Sequence, residues 1–78
     1  MEKKYSELSL HQKLEIVVKE MVERDVQFKE AVQEFEKIFI EMTASKYGGN
    51  KTKMARAMGI HRNTLHSRAK ALKIKKLF

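Results

Sequence analysis

Helix-breaking residues are confined to three positions in this chain. Proline is absent, and glycine occurs only at 48, 49 and 59. These two residue types disfavour a helix interior more than any others, so everything outside those positions is free to be helical. The chain is therefore expected to be all-α, with enforced breaks at Gly48-Gly49 and at Gly59.

The segment GGNKTKMARAMGIHRNTLHSRAKALKI, residues 48 to 74, places two short helical patterns on either side of the last break. Asn50 is a good N-cap for the first, in which Met54, Ala55 and Met58 recur at helical spacing. Gly59 supplies a left-handed turn, and Ile60 plugs it. The second pattern runs from about Arg62 to Leu72, with Leu65, Ala69 and Leu72 at i, i+4 and i+7. That leaves Arg62, Asn63, His66, Ser67 and Lys70 toward the other side. Two short helices joined in this way are a helix-turn-helix signature, and a basic polar face on the second suits a DNA groove.

Upstream, residues 1–8 show no periodic apolar pattern and read as a leader or linker remnant. Ser9 followed by Gln12 predicts a capping box, after which Leu10, Leu14, Val17, Val18 and Met21 form a helical stripe ending near Arg24. Asp25 is expected to cap the next helix. In that helix Phe28, Ala31, Val32, Phe35, Ile38, Phe39 and Met42 fall within about a third of the circumference, and Gly48 or Gly49 stops it. Ile40 and Val26 fall off the stripe, and Ile40 is placed to reach the helix-turn-helix instead. The organisation expected is one compact domain, with dimerisation helices over 9–47 and a DNA-binding unit over 48–78.

At 78 residues, a monomer buries only about 60% of its unfolded surface, and oligomerisation is the natural remedy. The phenylalanine-rich stripe exceeds what one short helix and a small helix-turn-helix can cover. Two helical hairpins across a two-fold axis would form a dimeric four-helix core, with Leu14, Val17, Met21, Phe28, Val32, Phe35 and Phe39 at the homodimer interface.

Charge separates the chain sharply. Residues 1–42 hold seven Lys or Arg and ten Asp or Glu, whereas residues 43–78 hold ten Lys or Arg and no acid. The basic half implies a polyanionic partner. The absence of cysteine excludes a disulfide framework and fits a reducing cytoplasm. No stretch approaches a membrane span or a signal peptide, so no membrane role is expected.

Enzymatic chemistry lacks its parts. All acids lie in the first 42 positions, so no pair of carboxylates converges on the basic half. His61 and His66 are five apart, roughly 140° around a helix, and cannot share a metal. GGNKT lacks the spacing and preceding strand of a phosphate-binding loop. No catalytic site, metal or cofactor is expected.

Phe28 to Ile74 resembles the Fis-type DNA-binding domain, found in a nucleoid protein and at the C-terminus of NtrC-type sigma-54-dependent enhancer-binding activators. The resemblance rests on FKEAVQEFEK entering a long helix, then GGN, an alanine-rich short helix, Gly59-Ile60, and Arg62-Asn63-Thr64-Leu65. The FEK and GGN details look more like the activators. The resemblance implies the same dimer and an Arg at position 62 that meets DNA. It also implies that ATPase and receiver domains are missing from this chain. Two departures stand out. Lys73 occupies a position where the family usually has glycine, at a steric cost in a left-handed cap. Ser67 sits where the nucleoid protein carries lysine.

The base-contacting candidates are Arg62, Asn63, His66 and Ser67. Arg62 stands at the helix entrance, where its planar fork can donate two bonds to guanine O6 and N7. Asn63 can read adenine or meet a phosphate. Phosphate contacts are expected from Asn50, Lys51, Thr52, Lys53, Thr64, Arg68 and Lys70, which lie at helix starts or on the basic face. The lysines of the closing KIKKLF add to that set. The function expected is sequence-specific recognition of double-stranded DNA at an inverted repeat by a cytoplasmic, nucleoid-associated homodimer acting as an activator's DNA-binding domain. The alternatives are a free-standing Fis-like protein that binds and bends DNA, or a basic helical interaction module.

Overall fold

The computed structural model describes residues 4–74. They form four α-helices: α1 Leu10–Glu23, α2 Phe28–Lys46, α3 Lys51–Met58 and α4 Arg62–Ala71. No strand occurs among the described residues, and the fold is all-α. Residues 1–3 and 75–78 lie outside the described residues, and with them the expected role of Lys75 and Lys76 at phosphate. The remainder of the leader carries a 3₁₀ turn at Tyr5–Glu7, with Lys13 Nζ 5.2 Å from the Tyr5 ring centroid.

The chain divides into two compact units, Met1–Ala31 and Val32–Phe78. In the first, the expected capping box opens α1. The Gln12 N–H donates to Ser9 Oγ at 3.1 Å, and the Ser9 N–H donates to Gln12 Oε1 at 2.9 Å. Two of the free amides at the helix start are thereby satisfied. None of the side chains of α1 is buried, and Leu10, Leu14, Val17, Val18 and Val22 are all exposed.

Asp25 corrects the sequence expectation. It does not cap α2, which starts three residues later at Phe28. It takes a left-handed conformation with φ 58 and closes α1. The Val26 N–H donates to Met21 O at 3.0 Å, and the Asp25 N–H donates to Val22 O at 3.1 Å. This is the Schellman pattern, and Asp is among the few residues with a Cβ that enter this region with some ease.

The same closure recurs three times in the second unit. Gly49 donates to Ala44 O at 2.9 Å around Gly48, Ile60 to Ala55 O at 3.0 Å around Gly59, and Ile74 to Ala69 O at 3.0 Å around Lys73. The pivots have φ values of 59, 70 and 57. Lys73 thus adopts the backbone that glycine supplies elsewhere, and the last turn is as tight as the others. After Gly59 and Lys73 the left-handed residue reverses the chain so that the next side chain folds back on the helix it has just left. Ile74 is accordingly buried, and Ile60 packs at the edge of the core.

That core joins Ile40 and Ala44 of α2, Met54 and Ala55 of α3, Leu65 and Ala69 of α4, and Ile74. Met54 and Leu65 are fully enclosed, each worth roughly 1.5–3 kcal/mol of hydrophobic stabilisation. Helix α2 therefore has two apolar faces. Ile40 and Ala44 point into the core, which settles the destination of Ile40 that the sequence left open. Phe28, Val32, Phe35, Phe39 and Met42, roughly 120° away around the helix, are exposed.

Candidate nucleic-acid interface

The second unit presents α3 and α4 as a tightly linked pair. Asn50 caps α3, its Oδ1 accepting the Lys53 N–H at 3.1 Å. At this helix start the positive end of the helix dipole favours an anion. Thr52 and Lys53 are exposed beside them, and Lys51 is half-buried.

His61 plays a part that its residue type does not suggest. It is the N-cap of α4, with Nδ1 accepting the Asn63 N–H at 3.2 Å. Its ring is thus engaged at the helix start, and Arg62 becomes the first residue of α4.

The buried ridge of α4 decides which side chains face outward. Leu65 and Ala69 are enclosed and Leu72 is half-buried. At roughly 100° per residue these three share an arc of about 60°. Asn63 and Ser67 lie on the opposite side, His66 and Lys70 lie beside them, and all four are exposed. Arg62 is exposed at the leading end. A short helix backed by a rigid ridge, with a continuous polar and basic front, has the shape and chemistry that enter a major groove.

Thr64 and Arg68 occupy the other flank, facing α2. They line a cleft of about 270 Å³ together with Phe35, Glu36, Phe39, Ile40, Met58 and Ile60. In that cleft Arg68 Nε donates to Glu36 Oε2 at 2.8 Å, and its Nη2 reaches the same oxygen. Both were expected at phosphate from their place in a basic helix. The structure brings Asn50, Thr52 and Lys53 together on one helix start and Arg62, Asn63, His66, Ser67 and Lys70 on one front, but it turns Thr64 and Arg68 toward α2.

Glu36 is the residue that sequence reasoning passed over. It lies ahead of the acid-free half and 32 positions from its partner, so no local spacing announces the pair. Only its place near Ile40 on the inner side of α2, off the phenylalanine stripe, hinted that it faced the helix-turn-helix. Among the described residues, no helix is long and apolar enough to cross a membrane.

A core-backed pair of short helices, closed by a left-handed glycine and carrying a basic front, defines a helix-turn-helix protein. The family model for bacterial regulatory protein, Fis family, matches residues 31–72, more than half of the chain, and the chain belongs to that family. Membership carries DNA binding by the helix-turn-helix and places the chain in a regulatory class, not an enzyme class. Comparisons with curated proteins and with solved structures found no match.

Proposed function

We propose that the chain binds a specific duplex sequence as a homodimer, each copy reading one half of an inverted repeat, and that it serves as the DNA-binding domain of an NtrC-type activator. The observation that carries this reading is the outward face of α4. Arg62 leads it, Asn63, His66, Ser67 and Lys70 follow on one side, and Leu65 and Ala69 anchor the other.

In this reading Arg62 donates its paired N–H groups to guanine O6 and N7. Asn63, His66 and Ser67 meet neighbouring base edges, and Lys70 reaches the backbone. Asn50, Lys51, Thr52 and Lys53 hold a phosphate at the start of α3, where the helix dipole and lysine charge act together.

Dimerisation is supported by the uncovered apolar face. Phe28 is 85% exposed, Phe35 56% and Met42 70%, and on α1 Leu10 is 86% exposed. Large apolar side chains are costly to leave in water, and a second copy offers matching ones.

The test is selection of bound duplexes from a random pool at moderate salt, followed by sequencing. Enrichment of an inverted repeat with a guanine in each half supports the proposal. A loose A·T-rich preference replaces it with an architectural DNA-bending protein, and no retention replaces it with an interaction module.

A further inference from the structure

The packing of α4 is concentrated on one side of the helix. Its enclosed contacts, Leu65 and Ala69, form a ridge along the helix. A ridge resists translation of the helix but offers little leverage against rolling about its own axis. On the flank facing α2 the structure has an open cleft instead of close packing, about 270 Å³ between Phe35, Phe39, Met58, Ile60 and Thr64. Across this cleft runs one polar connection, from Arg68 of α4 to Glu36 of α2, with Nε to Oε2 at 2.8 Å.

The position of Arg68 gives that bond its leverage. It lies roughly 70° around the helix from the centre of the ridge formed by Leu65, Ala69 and Leu72. A bond made so far off the ridge opposes a roll directly. The amplitude is consequential, because side-chain tips stand about 5–6 Å from the helix axis, so a roll of about 10° displaces them by about 1 Å. Hydrogen bonds to base edges lose their geometry over that distance, whereas contacts between charges and phosphates tolerate it.

We infer that Glu36 is a specificity-determining positioning residue. Through Arg68 it fixes the roll of α4, and so the aim of Arg62, Asn63 and Ser67 at base edges, without itself touching DNA. The inference rests on the proposed base-reading role of α4. It predicts that loss of the tie costs discrimination between sequences more than it costs affinity for DNA in general.

The experiment starts with the unmodified chain and compares its preferred duplex with a random one. Absence of any preference at this step overturns the base-reading proposal itself. Given a preference, the paired substitution Glu36→Ala with Arg68→Ala is measured on both duplexes across a salt series. That pair removes one charge of each sign, so the net charge of the protein is unchanged. The expected result is a fall in the specific-to-random affinity ratio of up to about fivefold, the size an exposed ion pair can supply. Random-duplex affinity and its salt slope stay as they were. Exchanging the two residues, Glu36→Arg with Arg68→Glu, restores part of the ratio.

An unchanged ratio in the folded double variant overturns the inference, as does an equal loss on both duplexes, which marks a merely structural pair. Circular dichroism checks the fold. Should the double variant not fold, Glu36→Gln is measured in its place, with the ratio judged by the same two outcomes.

Discussion

Arg68 Nε donates to Glu36 Oε2 at 2.8 Å, so the recognition helix is tied through a basic residue to the helix that bears the phenylalanine stripe. The side chains are 44% and 28% exposed, and a pair in that setting contributes at most about 1 kcal/mol. The pair engages a cation that the sequence reading assigns to phosphate. Lys70→Gln is therefore expected to lower the slope of log K against log salt by about 0.9, the amount for one lost phosphate contact. Arg68→Gln is expected to leave the slope unchanged. Titrations at four or five salt concentrations decide this, and equal reductions for both variants would return Arg68 to the phosphate-contacting set.

Arg62 heads α4 on the exposed front, next to the His61 cap. If it donates two bonds to a guanine, Arg62→Ala weakens the preferred duplex by about 1–3 kcal/mol and a random duplex hardly at all. Competition binding with the two duplexes measures both effects. A loss of the same size on each makes Arg62 a backbone contact.

The Phe35 and Phe39 rings lie 5.6 Å apart, centroid to centroid, and the two side chains are 56% and 46% exposed. Phe35→Glu places a charge in the proposed dimer face, where no partner for it is foreseen, and the expected result is a monomer. Sedimentation equilibrium reports the mass directly. A monomeric unmodified chain, or a variant that still dimerises, removes that face from the interface.

Lys73 and Gly59 hold the same left-handed backbone at φ 57 and φ 70, one with a Cβ and one without. Nothing lies within 4 Å of a Cβ built at Gly59, so substitution there meets only the conformational cost. Gly59→Ala should destabilise the chain by roughly 1 kcal/mol, and Lys73→Gly should stabilise it by roughly 0.5–1 kcal/mol. For a domain of this size, 1 kcal/mol shifts Tm by about 4–8 °C. Thermal melts at fixed protein concentration compare the pair. A Lys73→Gly variant that melts lower would mean that the lysine side chain contributes more than its backbone costs.

The elements that were legible in the sequence are those built from neighbours along the chain. The Ser9 and Asn50 caps, the Gly59 turn and the Leu65, Ala69 ridge each depend on residues a few positions apart, so residue type and spacing suffice. Asp25 was misread because Asp serves both helix starts and left-handed turns, and local pattern does not distinguish the two roles. The His61 cap has no signal in the sequence because histidine is an uncommon capping residue. Glu36 was missed because its partner is distant in the chain, where no periodicity connects them.

Fold class and the polarity of the two halves were therefore determined by sequence alone. Helix-breaking residues confined to three glycines, with apolar residues recurring at helical spacing between them, point to helices, and acids confined to the first 42 positions make the helix-turn-helix basic in any packing arrangement. Which flank of α4 turns to α2 was decided only by tertiary structure. That choice depends on how Ile40 and Ala44 meet Met54, Leu65 and Ala69, a packing of surfaces that shares no local register. Once that core closes, Arg68 falls beside Glu36 and Asn63 and Ser67 face outward. A basic helix thereby acquires one exposed polar front and one flank bonded to α2.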